Sequence, residues 1–256
     1  MKVTLRALSV VIGVLWLFLG VFIATVIYSA TQIRIENISV SAEISGTAFY
    51  YNITITIFNG GFHDIRNLTI TTAMIFNLTG DVILNKSTVL PAIGKGERGT
   101  LVHTVVLDLA ALWVENPHVF RLLMLNDSDM TVISSISLIY ACIFGTELTM
   151  NSTSRWGAPL SHMRVWAYNL SAGLLSFNMS FVNSSPMSYT FWVEVLNERG
   201  ESLGNSSQVS VLPGYMLMGR VGVPVDMALW TGSGTMVAHL MVEGTHLALP
   251  VVEYHV

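Results

Sequence analysis

The chain has 256 residues, 52% of them hydrophobic and only 11% charged, with a formal net charge of −4 and a mean hydropathy of +0.60. Disorder is excluded, because a disordered chain needs high charge and few apolar residues. Nucleic-acid binding is excluded too, because no cluster of Lys and Arg exists to neutralise phosphates.

Lys2 and Arg6 precede a run without charge from Ala7 to Ile33. About 20 apolar residues cross the hydrocarbon layer as a helix, whose backbone polar groups are satisfied internally. Residues 7–32 are therefore read as a transmembrane helix embedded in membrane lipid. Trp16 lies inside the span and Tyr28 near its outer end, where amphipathic aromatics favour the interface. A cleaved secretory signal has an apolar region of only about 7–15 residues, and the candidate cleavage site Tyr28-Ser29-Ala30 begins with a bulky side chain. An uncleaved anchor is expected. The positive charge ahead of the helix keeps residues 1–6 in the cytoplasm and places everything after residue 33 outside. The expectation is a single-pass protein of the cell membrane with an extracellular C-terminal part.

That outer part is rich in Asn-x-Ser/Thr. Of 14 Asn residues, 11 stand in such sequons: Asn37, Asn52, Asn67, Asn77, Asn85, Asn126, Asn151, Asn169, Asn178, Asn183 and Asn205. The Ser and Thr content would give about 2.5 by chance, and the motif marks N-glycosylation at the surface of exported chains. Glycans also supply the hydrophilic coat that a charge-poor surface lacks.

The same region reads as two copies of one unit. AFYYNITITIFNG (48–60) parallels AGLLSFNMSFVNS (172–184), and LTITTAMIFNLTGDVI (68–83) parallels YTFWVEVLNERGESL (189–203). STVLPAIGKGERGTL (87–101) parallels VSVLPGYMLMGRVGV (209–223). Asp108 to Trp113 parallels Asp226 to Trp230, and Gly145-Thr146-Glu147-Leu148 parallels Gly244-Thr245-His246-Leu247. The units are placed at 33–150 and 158–256, joined by a polar linker at 151–157. Each has several short strands separated by turn signals, the pattern of an all-β sandwich. Ile53, Ile55 and Ile57 alternate with Asn52, Thr54 and Thr56, which puts one face in a core and the other in water. Only the first unit carries Pro117 to Leu125, where Pro suits the first turn of a short helix.

Residues able to carry chemistry are few. His239, His246 and His255 fall where neighbouring strands can bring them face to face, but none of the seven histidines has helical metal-ligand spacing, and no metal site is expected. Asp108 and Asp226 are read as caps of a short turn, with Trp113 and Trp230 as core anchors beside them. Gly94 to Gly99 lacks the Lys-Ser/Thr ending of a phosphate loop and reads as a hairpin loop. Cys142, the single cysteine, excludes an internal disulfide and a Cys-based zinc site. Within SLIYACIF it reads as a small buried hydrophobe. No catalytic residue and no cofactor are expected.

A strand ending in an Asn turn, an amphipathic hairpin, then a Leu-Pro stretch and a long strand resembles the water-stress (WHy-type) domain of late-embryogenesis-abundant proteins. ITITIFNGG (53–61) stands where that family has its Asn-Pro-Asn turn, without the Pro; Phe181 to Pro186 is the counterpart in the second unit. The resemblance implies two tandem immunoglobulin-like sandwiches. The layout also resembles archaeal membrane-anchored surface glycoproteins. The expected role is a non-enzymatic structural or binding module of the envelope, meeting an envelope protein or a second copy through exposed β-edges. The alternative is a filament subunit: Arg6-Ala7 resembles the processing site of archaeal pilin-like precursors, which implies a helix packed into a filament core.

Overall fold

The structure, a computed structural model, describes the backbone of residues 2–255 and the side chains of residues 12–255. The side chains of Lys2 and Arg6, on which the cytoplasmic assignment of residues 1–6 and the pilin-like motif depend, lie outside the described residues.

Helix α1 spans Lys2–Ala30, and its stretch Ile12–Ala30 is long and apolar enough to cross a membrane. It stops two residues before the end expected from the apolar run. The N–H of Thr31 reaches the carbonyls of Ile27 and Tyr28, the N–H of Gln32 reaches that of Ser29, and the Thr31 hydroxyl donates to the Tyr28 carbonyl. This tightened last turn satisfies carbonyls that have no partner further along the helix.

The rest is mainly β. The first half runs β1 (Ile33–Ser45), β2 (Ala48–Asn59), β3 (Ile65–Phe76), β4 (Asp81–Ile93) and β5 (Arg98–Asp108). Helices α2 (Leu109–Glu115) and α3 (Pro117–Leu125) follow, then β6 (Ser128–Tyr140) and β7 (Phe144–Trp156). The second half runs β8 (Ser161–Ser171), β9 (Leu174–Val182), β10 (Tyr189–Asn197), β11 (Ser202–Asn205), β12 (Val209–Val211), β13 (Met216–Pro224), β14 (Ser233–Val242) and β15 (Thr245–His255). All pairings are antiparallel. The first half has sheets of order β1-β2-β5 and β4-β3-β6-β7; the second has β8-β9-β13 and β11-β10-β14-β15, with β12 also on β10. The chain order within the sheets is thus the same in both halves, with the fourth strand of the second half split in two.

Two apolar cores hold this together. One lies between the sheets of the first half, around Ile53, Ile55, Ile57, Leu68, Ile70, Ile93 and Leu101. The other begins at Phe76 and Leu107, passes through Phe120 and Leu123 of α3, and continues into Phe177, Phe191 and Leu240 of the second half. The helical insertion therefore serves as mortar between the halves. Asn116 caps α3 by accepting from the Val119 N–H at 3.2 Å, and Pro117 occupies its first turn.

Several sequence expectations are corrected. Residues 151–156 are not a linker: they complete β7, with Asn151 opposite Ile133 and Trp156 opposite Ser128. The stretch reads as polar because β7 is an edge strand wetted along almost its whole length. The connection is shorter, at 157–160, and is pinned by the Leu160 N–H on the Met124 carbonyl and the Ala158 N–H on the Asp127 carboxylate. Val89-Leu90-Pro91 and Val211-Leu212-Pro213 match in order but not in place. Pro91 lies within β4 and Pro213 in the turn before β13. Trp113 and Trp230 are half-buried rather than core anchors: Trp113 meets His246 edge-on at 6.5 Å, and Trp230 stacks on Tyr254 at 5.6 Å. The buried tryptophan is Trp156. Cys142 is exposed, in the turn between β6 and β7. Ala141 and Cys142 both have positive φ (52° and 62°), the requirement of a tight hairpin turn usually met by Asn-Gly. Ala-Cys carries no such signal, so the run looks like one strand.

Candidate functional site

The C-terminal end of α1 is seated against the first half. Val26 is 1% exposed and packs into the core that holds Ile57 and Ile65. The Ser29 hydroxyl bonds the Tyr140 hydroxyl and accepts the Phe62 N–H at 2.5 Å. Gly61 permits this approach, since a Cβ there would run into the Tyr140 hydroxyl and Ser29.

Next to this seat lies the turn after β2. Asn59 is fully buried. Its Nδ2 donates to the carbonyls of His63, Ile93 and Gly94, and its Oδ1 accepts from the Gly61 N–H. After β9, Asn183 repeats the arrangement: Nδ2 donates to the carbonyl four residues on, Met187, and Oδ1 accepts from the N–H two residues on, Ser185. The carbonyl of Asn59 takes the N–H of Gly96 at 2.7 Å, and that of Asn183 takes the N–H of Gly214 at 2.8 Å. Asp108 and Asp226 correspond likewise, each accepting the N–H two residues on, Ala110 and Ala228, at 2.9 Å.

Among the sequons, Asn37, Asn67, Asn77, Asn85, Asn151, Asn169 and Asn205 are exposed, and Asn52, Asn126 and Asn178 are half-buried. Asn183 is a correction. It is fully buried with its amide nitrogen committed to Met187, so the folded chain has no room for a glycan there.

Of the three C-terminal histidines, two meet. His239 Nε2 lies 2.9 Å from the Glu194 carboxylate, and His239 Nδ1 lies 2.8 Å from His246 Nε2. A carboxylate only accepts, so His239 carries its proton on Nε2, and its Nδ1 accepts from His246. Trp192 lies nearly parallel beside His239, ring centres 5.0 Å apart. His255 is elsewhere, opposite Ser233 at the far end of β14. Glu194 and Trp192 escaped the sequence reading, although their alternation with buried Phe191, Val193 and Val195 places them on the same outer face of β10. Both nitrogens of His239 are engaged, and among the described residues no three His, Cys, Asp or Glu side chains gather to hold a metal ion. The chemistry available is a short proton relay that ties β10, β14 and β15 together.

A second buried histidine, His103, bridges the two sheets of the first half. Its Nδ1 lies 2.8 Å from the Thr88 hydroxyl and its Nε2 3.1 Å from the Thr72 hydroxyl. Burial holds His103 below the ordinary histidine value, with a further push from Lys86. Burial also lowers His239, against the opposing pull of Glu194. Both are therefore neutral in the native state, and the unfolded chain takes up protons first. Stability is expected to be complete above the ordinary value near about 6.5 and to fall on acidification towards the lowered native values, by at most about 1.4 kcal/mol per pH unit per group. Urea denaturation between about pH 7.5 and pH 5 checks this; His103→Gln should flatten the slope, and an unchanged slope would assign the acid sensitivity to other groups.

Comparison with protein-family models and with curated proteins gives no match. Among solved structures, the chain is similar to red sea bream transglutaminase at 13% identity and a TM-score of 0.29, covering 86% of this chain and 31% of that one. It is similar to an exo-chitosanase of Amycolatopsis orientalis at 12% identity and a TM-score of 0.26, covering 84% of this chain and 26% of that one. The chain thus spans less than a third of the length of either, and likenesses this distant carry no argument about its activity.

Proposed function

We propose that the chain is a single-pass, N-glycosylated cell-surface protein, with two tandem immunoglobulin-like sandwiches forming a structural and binding module of the envelope and no active site. The observation that carries this reading is the junction between α1 and β1. A helix whose apolar side chains from Leu15 to Phe18 are all exposed turns directly into a β-rich body bearing ten accessible or half-accessible sequon asparagines. Water does not favour such a helix surface, whereas lipid does. Duplication is supported by the shared strand order and by the paired Asn59/Asn183 and Asp108/Asp226 contacts. The Asn turns stand at the places where the WHy-type resemblance has its own Asn turn.

A binding role draws on one side of the first half. β1 and β7 are edge strands of its two sheets. Ile35, Ile38 and Val40 lie opposite the buried Ile57, Ile55 and Ile53, so they face inwards, yet Ile35 is 60% exposed. On β7, Leu148 lies opposite Ile136 and is 56% exposed. The matching strand of the second half, β8, instead has Val165 and Leu170 packed on the core. The first half thus has an open apolar margin with unpaired strand edges, which suits an added β-strand from an envelope protein or a second copy.

Cross-linking on intact cells tests this. The natural chain should give a protein adduct, and Val40→Lys with Leu148→Lys should reduce it about tenfold, since a charge on an edge blocks pairing. Equal adducts in both chains would remove the margin from the binding role, and no adduct at all would remove the binding role itself.

A further inference from the structure

We infer that the membrane-proximal end of the first half is a lipid-binding surface: the β2–β3 loop (60–64) and the β6–β7 turn (141–143) enter the headgroup and upper acyl layer beside α1, with phospholipid as the ligand. The inference rests on reading α1 as an anchor.

The loop does not sit above the end of the helix but alongside it. The Phe22 ring is 6.3 Å from His63, the Tyr28 ring 6.3 Å from Phe62, and Ser29 is bonded to Phe62 and Tyr140. The loop therefore stands level with helix residues 22–29. From Arg6, the last charge before the run, to Phe22 the helix rises only about 24 Å at 1.5 Å per residue. A hydrocarbon core is about 30 Å thick. Lipid must therefore continue past Phe22, to the level where the loop is docked.

The helix surface supports the same depth. Ile23, Ile27 and Tyr28 remain exposed and apolar beside the docked Val26 and Ser29, so the helix needs an apolar surrounding up to that turn. The loop tips suit that surrounding, with Phe62 54% and Ile143 60% exposed. The two tips are neighbours: Phe62, His63, Asp64, Arg66, Ala141 and Cys142 line one shallow groove.

Charge is arranged for phosphate just above. Arg34, Arg66 and Lys95 stand at this end, and among the described residues none has an ion-pair partner. The nearby acids are engaged: Asp64 accepts from the Lys95 N–H, Glu97 from the Gly94 N–H, and Glu36 pairs with Arg98. Amphipathic surfaces of this kind settle about 5–10 Å into the headgroup and acyl boundary. The ectodomain would then be held at a fixed tilt instead of swinging on a tether.

Cys142 makes the test direct, because it is the only cysteine and lies exposed in the inserted turn. The full chain is reconstituted into vesicles of phosphatidylcholine and phosphatidylglycerol, with an environment-sensitive NBD fluorophore on Cys142. Blue-shifted emission is expected, with at least about twofold quenching by shallow spin-labelled lipids and protection from aqueous iodide, as befits the interfacial layer. The same fluorophore on Thr79→Cys in a Cys142→Ser background sits at the other end of β3, about 37 Å away at the strand rise, and should report water. Phe62→Ser with Ile143→Ser should move the Cys142 signal towward water. If the chain floats with vesicles but both positions report water, the inference fails and the anchor stands. If the chain does not float, the anchor and the inference fail together.

Discussion

Replacing Trp156 by alanine is expected to destabilise the folded chain by about 3–5 kcal/mol, the range for removing a large aromatic from a core. Trp156 is buried where the halves meet. Its indole N–H donates to the Leu123 carbonyl at 2.8 Å, and its ring lies edge-on to Phe49 with centres 4.9 Å apart. Truncation opens a cavity and leaves a carbonyl of α3 without its partner. Because one apolar core continues from Phe76 through α3 to Leu240, the loss should be felt by both halves. For a chain of this size the melting temperature should fall by roughly 10 °C. Trp113→Ala and Trp230→Ala, at half-buried positions, should cost only about 1–2 kcal/mol each. Thermal unfolding of the three variants checks the order; equal losses would place the joint between the halves elsewhere.

The contrast among these tryptophans shows how far the sequence can be read. Apolar alternation located some of the strands, because a strand with one wet face writes its burial directly into its residues, as Ile53, Ile55 and Ile57 do. Order along the chain also located the Asn and Asp turns that the two halves have in common. Burial at the ends of elements was not legible. Trp113 and Trp156 look equally suited to a core, and only the placement of α3 over the end of β7 decides between them. Polar composition misled at 151–156, because an edge strand exposed on both faces has the same residues as a linker.

The histidine cluster was half legible for a related reason. That His239 and His246 lie on adjacent strands follows from the hairpin after Val242. Glu194 joins them only through the pairing of β10 with β14, a contact between residues 45 positions apart. The open margin between β1 and β7 is not visible in local sequence at all. Ile35 and Leu148 have the pattern of buried residues and are exposed because the opposing sheet does not reach them.

Asn59→Asp is expected to leave the chain foldable in acid and to unfold it near neutral pH. The Asn59 amide nitrogen faces three carbonyl oxygens, those of His63, Ile93 and Gly94, at 2.9, 3.0 and 3.2 Å. A carboxylate there has no proton to give them and would lie in a buried site against three acceptors. Folding would hold the introduced carboxyl in its protonated form, raising its native value above the ordinary value of about 3.9. The native state then binds more protons than the unfolded one. The sign follows: stability is greatest below the ordinary carboxyl value and declines as pH rises through the raised native value. Asn59→Ala has no such pH dependence and should cost about 3–5 kcal/mol at every pH, because several buried backbone groups lose their partners together. Asn183→Asp should follow the same sign with a smaller loss, since its nitrogen serves one carbonyl, that of Met187, while its oxygen keeps the N–H and hydroxyl of Ser185. Urea denaturation of the three variants at about pH 4 and about pH 7 reads the result against that ordinary carboxyl value. If the loss relative to the natural chain is no larger for Asn59→Asp at the higher pH than at the lower, the amide does not hold the turn through its donors.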